Sequence, residues 1–465
     1  MHRAALVAIL LLALCLRIGF ALTPADPQAP DSRGYARIAQ SLYQDGRFEQ
    51  RGNFVAGETQ ESSNYSPGLP IFVAGLYELS GGVHPEFARI VLAIIGTVGV
   101  FLAYLLGRRF GGPIAGLIAA LLMATYPAML EFQSMIMTEP LATTLLAGAL
   151  LACFRASDRG GTLAWALPGL LLGLMAMVRP EYLMFGALLP LLALWRSRRA
   201  TGPRPALVAA VAAALAFAIP ILPWTIRNAI VLDRLVPIST GSGKVLYIGT
   251  YLPTGGDGTE LRQELLERDP AMRRRLVNEL QPARPAAADP WPLFSQLEPA
   301  EGLDPQVRLS QRLRGERVVE LEQVLDQVAA RRYPGTPTDV ALGRMGRHNL
   351  SSNFGDDPFG MGEMLARKAY EAWITGPRAT MLETPWRIWH ALIVAFALLG
   401  MIVVAQRRRW EAVPFALLAL AATALSALLI ASPRRVIVIL PVLAALAGTG
   451  VVWLAERLRA MRAAP

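Results

Sequence analysis

Ten long apolar runs divide this chain, and they decide what it can fold into. Most approach the roughly 17–25 apolar residues that a helix needs to cross a bilayer. They lie at 5–22, 89–107, 113–127, 137–154, 163–178, 182–195, 205–226, 386–405, 411–431 and 436–455. Only 17% of the residues are charged, whereas a typical soluble domain has about 25%. We predict an all-α polytopic membrane protein with about ten spans; nine or eleven also fit, because two runs are short.

The charges between these runs predict the orientation of the chain. Fifteen arginines fall on alternate short segments and on the two ends, whereas the short segments between them hold three. The fifteen are Arg3, Arg108, Arg109, Arg155, Arg159, Arg196, Arg198, Arg199, Arg204, Arg407, Arg408, Arg409, Arg457, Arg459 and Arg462. Cytoplasmic loops are enriched in arginine, so both termini are predicted to be cytoplasmic. The net charge of +10 is then explained by arginines on the predicted cytoplasmic loops, and it does not indicate a nucleic-acid partner.

Two long segments, 23–88 and 227–385, face outward in this topology. The second carries helical patterns at Glu260–Gln281 and Gln306–Arg332, so we expect a periplasmic helical loop domain there. Its stretch 362–374 is amphipathic with Trp and Tyr, as in helices that lie on a membrane surface. The predicted units are 1–226 with helices one to seven, 227–385, and 386–465 with helices eight to ten.

Two acids stand at the predicted outer ends of helices. Asp31 follows Pro30 and precedes a helical pattern; it fits a helix cap, and it equally fits a general base held at the membrane surface. Glu139 opens the run 137–154 beside Pro140. A carboxylate at membrane depth costs a few kcal/mol unless it is paired or hydrated, so we expect a functional role for Glu139.

Basic residues gather on the same predicted side. Arg179, Arg227, Arg434 and Arg435 break the positive-inside pattern there and call for protein carboxylates or an anionic ligand. Lys244 ends a Gly-Ser-Gly-Lys string that lacks the spacing of a nucleotide-binding loop. A glycine-rich turn with one lysine still suits a phosphate.

Several motifs, in this order, resemble the GT-C membrane glycosyltransferases, especially bacterial relatives of the protein O-mannosyltransferases and the lipid A aminoarabinose transferase. The motifs are Pro-Asp31-Ser-Arg-Gly-Tyr35, Tyr65-Ser-Pro-Gly-Leu-Pro70, Thr138-Glu139-Pro140, Val178-Arg179-Pro180, Pro223-Trp-Thr-Ile-Arg227, Thr254-Gly-Gly256 and Ser432-Pro-Arg434-Arg435. The resemblance covers most of the chain except about 257–360.

The resemblance implies an enzyme of the bacterial inner membrane that transfers a hexose or pentose from a polyprenyl-phosphate donor on the periplasmic face. It maps the catalytic carboxylates onto Asp31 and Glu139, and we expect Arg227, Lys244, Arg434 and Arg435 to bind the donor phosphate. The substrate pocket is expected to include Arg33, Tyr35, Glu61, Tyr65 and Arg179. A divalent metal is a possible cofactor, although Ser32 stands where some relatives have a second acid.

The expected chemistry is one inverting displacement at the sugar C1, with Asp31 as the base for an acceptor hydroxyl. The acceptor is a lipid, a glycan or a protein, and the bilayer is the other partner. Two alternatives stay open. A flippase of lipid-linked sugars would place charges deep in mid-helix, and an O-antigen ligase-like enzyme would depend on His348 in the large outer segment.

Overall fold

The computed structural model describes residues 2–23, 30–49, 65–279, 319, 321–407 and 410–463. The regular secondary structure of these residues is helical, which confirms the prediction of an all-α polytopic membrane protein. Glu61 and the segment 306–318 lie outside the described residues, so the expectations for them stay predictions.

The N-terminal half contributes ten of the described α-helices. These are α1 (His2–Leu22), α2 (Pro30–Asp45), α3 (Gly68–Ser80), α4 (Pro85–Thr125), α5 (Pro127–Glu131), α6 (Glu139–Arg159), α7 (Ala166–Val178), α8 (Phe185–Thr201), α9 (Pro203–Ala218) and α10 (Leu222–Val231).

Ten more described helices follow. Six fall in the predicted outer segment: α11 (Ser242–Gly249), α12 (Gly258–Arg268), α13 (Pro270–Glu279), α14 (Leu321–Arg332), α15 (Thr338–Asp356) and α16 (Pro358–Ile374). The last four are α17 (Thr384–Arg407), α18 (Ala412–Leu428), α19 (Arg434–Val438) and α20 (Leu440–Ala463).

Five of the described helices, α1, α4, α6, α17 and α20, are long and apolar enough to cross a membrane. The pair α9 and α10, bent by 46°, makes a sixth span if it is counted as one. Length and composition therefore give five or six spans in the described part, fewer than the ten predicted. One reason lies in α4, whose 41 residues contain two predicted runs separated at Gly112, where φ is +82°. Other predicted runs fold into helices too short to meet the criterion.

Two buried arginines join the ends of α1 and α4. Arg17 of α1 donates from Nη2 to the carbonyl of Met123 at 2.8 Å, close to the C-terminal end of α4. Arg89, in the first turns of α4, donates from Nε to the carbonyl of Ala21 at 2.8 Å. The last carbonyls of a helix lack partners within that helix, so each guanidinium satisfies the end of the other helix.

In the predicted outer segment, α11 is held at both ends by side chains from distant helices. Asp339 of α15 accepts hydrogen bonds from the backbone nitrogens of Gly241 and Gly243, each at 2.8 Å. At the other end, Nζ of Lys368 on α16 donates to the carbonyl of Gly249 at 2.7 Å. An acid at the N-terminus and a cation at the C-terminus both complement the helix dipole. Burial lowers the pKa of Lys368 to about 8.

Candidate active site

The start of α2 is fixed against the segment that precedes α6. The hydroxyl of Ser32 accepts a hydrogen bond from the backbone nitrogen of Ile136 at 3.0 Å. This contact brings the beginning of α2 next to the beginning of α6, where Glu139 is the first residue. Asp31 lies in the first turn of α2, a position that favours a negative charge.

Arg434, the first residue of α19, bridges the two predicted catalytic acids. Its Nη1 donates to Oδ2 of Asp31, and its Nε donates to Oε1 of Glu139 at 2.7 Å. The two acids differ in exposure: the side chain of Asp31 is 43% exposed, whereas that of Glu139 is fully buried. Solvent therefore reaches Asp31 and does not reach Glu139.

Glu139 extends the same set of contacts toward the end of α7. Its Oε1 also accepts from Nη2 of Arg179 at 2.8 Å, and Nη1 of Arg179 donates to Glu181 at 3.2 Å. Asp31, Arg434, Glu139, Arg179 and Glu181 thus form one chain of alternating charges, which we name the Asp31–Glu181 network. Its members come from α2, α6, α19 and the connection after α7.

The neighbours of the arginines in this network shift their pKa values. Burial alone would lower the pKa of Arg434, but Glu139 and Asp31 raise it well above its ordinary value. Burial would likewise lower the pKa of Arg179, and Glu139 and Glu181 raise it. Both guanidinium groups therefore stay charged at any physiological pH.

Tyr35 and Tyr65 lie beside the network. Their rings meet edge to face with centroids 5.0 Å apart, and Ser66 hydrogen-bonds the Tyr35 hydroxyl. Burial and the charge of Asp31 raise the pKa of Tyr35 to about 12. A Cβ at Gly34 would lie 2.4 Å from the Tyr65 hydroxyl, so glycine is what permits this contact.

Arg435 lies next to the network and, among the described residues, has no carboxylate partner. Its Nη1 donates to the carbonyl of Ile430 at 2.6 Å, and within the described residues it forms no ion pair with a carboxylate. Burial lowers the pKa of Arg435; Glu181 raises it in part, while Arg179 and Arg434 lower it further. An added anion would give the Arg435 guanidinium the charged partner that it does not have among the described residues.

Two other predicted phosphate ligands have partners of their own. Lys244 on α11 forms an ion pair with Glu322 of α14. The guanidinium of Arg227 lies 4.9 Å from the ring centroid of Trp224 and 5.7 Å from that of Phe48. Among the described residues, neither cation forms a hydrogen bond or an ion pair with the Asp31–Glu181 network. Arg33 is partly buried on the same helix as Asp31.

Sequence reasoning missed two residues of this region. Glu181 closes the network, and its position beside Arg179 in the connection after α7 was the available signal. Lys368 is buried under α11. The feature of the sequence that could have pointed to it is the scarcity of lysine, because Lys244 and Lys368 are the only lysines in the chain.

The donor set does not fit a divalent cation in the described part of the chain. Such sites take several oxygen ligands, often from carboxylates. Here Asp31 and Glu139 both accept hydrogen bonds from Arg434, and the described residues contain no group of three His, Cys, Asp or Glu side chains that could hold a metal.

The fold matches that of solved membrane proteins. The oligosaccharyltransferase of Archaeoglobus fulgidus, in its apo form, aligns with a TM-score of 0.54 at 15% identity, over 100% of this chain and 51% of that one. This is the GT-C membrane glycosyltransferase fold. The GT-C resemblance predicted from the motifs is confirmed. The chain spans about half the length of the archaeal protein.

Two other solved structures are also similar to this chain. The archaeal oligosaccharyltransferase AglB from Archaeoglobus fulgidus, in complex with an inhibitory peptide and a dolichol-phosphate, aligns with a TM-score of 0.53 at 15% identity over 99% of this chain and 51% of that one. ArnT from Cupriavidus metallidurans, bound to undecaprenyl phosphate, gives 0.38 at 15% identity over 97% and 78%.

Sequence comparison also points to one family. Residues 64–224, which include Glu139 and Arg179, match the model of the family described as dolichyl-phosphate-mannose-protein mannosyltransferase. No curated protein matches the chain.

Proposed function

We propose that this chain is a membrane glycosyltransferase that moves a single sugar from a polyprenyl-phosphate donor to an acceptor hydroxyl, with inversion at C1. The observation that carries the proposal is the Asp31–Glu181 network, which combines one exposed acid with a neighbouring cation, Arg435, that has no acid partner in the described part of the chain. The family match over 64–224 and the dolichol-phosphate bound by the archaeal oligosaccharyltransferase support the class of donor.

Asp31 is the proposed general base. The acceptor oxygen attacks C1 of the sugar, the bond from C1 to the phosphate oxygen breaks, and the hydroxyl proton passes to the Asp31 carboxylate. The exposure of Asp31 supports this role, and Arg434 fixes the direction of the carboxylate. A positioned base contributes about 10²–10⁴-fold to a rate.

Glu139 is the proposed positioning residue and not a second base. It is fully buried, and both of its arginine contacts use the same oxygen atom, Oε1. Through Arg434 it holds Asp31 in place from the side that solvent does not reach. This role also accounts for a carboxylate at the start of an apolar helix, because two cations offset the cost of burying it.

Arg435 is the proposed ligand of the donor phosphate. When the C1–O bond breaks, the phosphate takes the electron pair and gains negative charge, which a fixed guanidinium stabilises. Lys244 and Arg227 are left out of this proposed site, because Lys244 pairs with Glu322 and Arg227 packs over Trp224. A lipid phosphate is a good leaving group, so no general acid is required.

The proposed location is the bacterial inner membrane, with both termini cytoplasmic and the site periplasmic. The distribution of fifteen arginines on alternate segments supports it. The O-antigen ligase-like alternative has less support, because His348 is exposed on α15 and, among the described residues, forms no hydrogen bond or ion pair with the network.

The test is a reconstituted transfer assay with polyprenyl-phosphate sugars as donors. We expect the wild type to consume a donor and to form a product of inverted anomeric configuration, measured by NMR. Asp31→Asn should fold and should be slower by about 10²–10⁴-fold. Asp45→Asn, at the exposed opposite end of α2, is the matched control and should keep the wild-type rate.

Each result bears on a separate part of the proposal. A wild-type rate in Asp31→Asn would show that Asp31 is not the base. Retention of configuration would contradict the single displacement. If the wild type neither binds nor consumes any polyprenyl-phosphate sugar, the transferase assignment itself is wrong.

A further inference from the structure

A cavity of about 500 Å³ lies in the predicted outer segment, apart from the Asp31–Glu181 network. Its walls come from four places in the chain: the turn at 252–257, Glu260 of α12, the helix α16, and the pair Ile430 and Ala431 that follows α18. Its volume falls within the range of about 300–1,000 Å³ that is typical of small-molecule sites.

Two glycines bring the turn close to α16. Gly255 and Gly256 have φ values of +58° and +81°, which side-chain-bearing residues rarely adopt. A Cβ at Gly255 would lie 2.0 Å from Nη2 of Arg367, and a Cβ at Gly256 would lie 3.1 Å from Nζ of Lys368. The two glycines therefore allow the turn to pack directly against α16. The hydrogen bond from Lys368 to Gly249 holds this contact in place.

The charges on the walls restrict the ligand. Four carboxylates line the cavity against two cations, Arg367 and Lys368. The carboxylates belong to Asp257, Glu260, Glu363 and Glu371. This balance disfavours an anionic ligand, and within the described residues no three acids come together as a metal site would require.

The same groups suit a ligand that is rich in hydroxyls. Carboxylates only accept hydrogen bonds, and a guanidinium only donates them, whereas a sugar hydroxyl does both. Arg367 and the acids on α16 therefore offer partners for several hydroxyls at once. Apolar side chains such as Leu252, Met364 and Ile430 cover the remaining surface, as the less polar face of a sugar ring requires.

The cavity is connected to the proposed catalytic site by a few residues of chain. The carbonyl of Ile430, which belongs to a cavity residue, accepts the hydrogen bond from Arg435. Arg434, the neighbour of Arg435, holds Asp31. A molecule bound in this cavity would therefore be separated by only a short loop from Arg435, the residue proposed to bind the donor phosphate.

We propose that this cavity binds an uncharged, hydroxyl-rich sugar unit of a glycan acceptor. The acceptor role rests on the proposed transferase function, whereas the sugar site itself stands on the cavity and its charges. Among a lipid, a glycan and a protein, the proposal selects the glycan as the acceptor.

Binding is tested first and without any donor. Methyl glycosides of glucose, galactose, mannose and N-acetylglucosamine are added to the full chain in detergent, and saturation-transfer NMR detects binding. We expect at least one of them to bind, and the double variant Glu363→Gln/Glu371→Gln to weaken it at least fivefold. The control Glu267→Gln removes an exposed acid of α12 outside the cavity and should bind as the wild type does.

Three results would overturn the site: no glycoside binds, the double variant binds as well as the wild type, or glucose 6-phosphate binds more tightly than the neutral glycosides. In the transfer assay the double variant should raise KM for a glycan acceptor at least fivefold, with kcat and donor affinity unchanged. An unchanged KM would overturn the acceptor role.

The two proposals fail in different ways. Glycoside binding that the double variant weakens, together with no use of any polyprenyl-phosphate donor, would refute the transferase and keep the sugar site. Donor consumption with no glycoside binding would refute the sugar site alone.

Discussion

Helix α6 connects two arginine–carboxylate networks that differ in composition. Its first residue, Glu139, belongs to the Asp31–Glu181 network, and Asp158, close to its other end, binds Arg109 at 2.7 Å. Arg109 also binds Glu411, and we name these three residues the Arg109 network. With a rise of 1.5 Å per residue, the two networks lie about 30 Å apart along the helix.

The Arg109 network places one cation between two acids and has aromatic neighbours. The Arg109 guanidinium lies 5.1 Å from the ring centroid of Phe154, and nearby Arg196 lies 4.1 Å from that of Trp410. Such contacts tie helices together, and both acids of the Arg109 network bind the same guanidinium. The Asp31–Glu181 network instead has a fully buried acid, an exposed acid and an adjacent cation without a carboxylate.

The difference separates a network that stabilises from one that is arranged to bind. Where each charge has its partner inside the protein, a ligand has nothing to add. Where a buried cation lacks a carboxylate, an anionic ligand supplies the missing partner. Four substitutions test this comparison, from the largest expected effect to the smallest.

Glu139→Gln should have the largest effect, because it removes the fully buried carboxylate that Arg179 and Arg434 share. Breaking a buried ion pair from one side costs about 3–5 kcal/mol. We expect the free energy of unfolding in detergent, measured by denaturant titration, to fall by that amount. A loss below about 1 kcal/mol would contradict the anchoring role of Glu139.

Arg435→Met should lower donor affinity by about ten- to a hundredfold, the value of one charge-assisted hydrogen bond. It should leave stability unchanged or raise it, because the arginine it replaces has no carboxylate partner. Calorimetric titration with a polyprenyl phosphate measures the affinity. Arg109→Met is the contrasting variant: it should keep the affinity and lower stability, because it leaves Glu411 buried. Equal donor affinity in the wild type and Arg435→Met would rule out Arg435 as the phosphate ligand.

Lys368 is a second buried cation without a carboxylate partner among the described residues, but unlike arginine it can lose its proton. Its pKa is lowered to about 8 in the folded chain, from an ordinary value of 10.5. Between these values the unfolded chain binds more protons, so stability should rise with pH from about 8 to 10.5. Below pH 8 both states are protonated and the cost of burial is fully present.

The measurement is the unfolding free energy of the wild type minus that of Lys368→Met at pH 7.5 and at pH 10. We expect the difference to increase by about 1–2 kcal/mol, less than the full linkage value because this interval of pH covers only part of the titration. A difference that is constant or falls with pH would mean that Lys368 is not buried as a charged group.

Asp158→Asn should have the smallest effect. The Asp158 side chain is 50% exposed, and Arg109 keeps its contact with Glu411, so we expect a loss below about 1 kcal/mol in the same denaturant titration. A loss as large as that of Glu139→Gln would remove the distinction between the two networks.

The membrane class and the GT-C fold could be predicted from the sequence because both depend on local patterns. Apolar runs and the distribution of arginine act over 20 residues or fewer, and the break in α4 at Gly112 falls between two predicted runs. The charged residues at the ends of these runs could be picked out in the same way, and the structure brings Asp31, Glu139, Arg179 and Arg434 together.

The pairings inside the site could not be predicted from such patterns. Arg434 is 403 residues from Asp31 and 295 from Glu139 along the chain, and nothing local selects these partners. Lys244 shows the same limit from the other side. Its glycine-rich surroundings predict a phosphate ligand, and the packing of α14 places Glu322 against it. Local chemistry can nominate a charged residue, whereas only the packing of helices decides whether it is neutralised.

The contact between Arg17 and the end of α4 forms only after α4 has been synthesised. Arg17 donates to carbonyls that come 106 and 107 residues later, so its partners do not exist when α1 leaves the ribosome. Until α4 has been synthesised, the Arg17 guanidinium depends on water at the membrane surface, which its position near the end of α1 lets it reach. As the chain is assembled, α1 therefore exchanges this water for the carbonyls of α4.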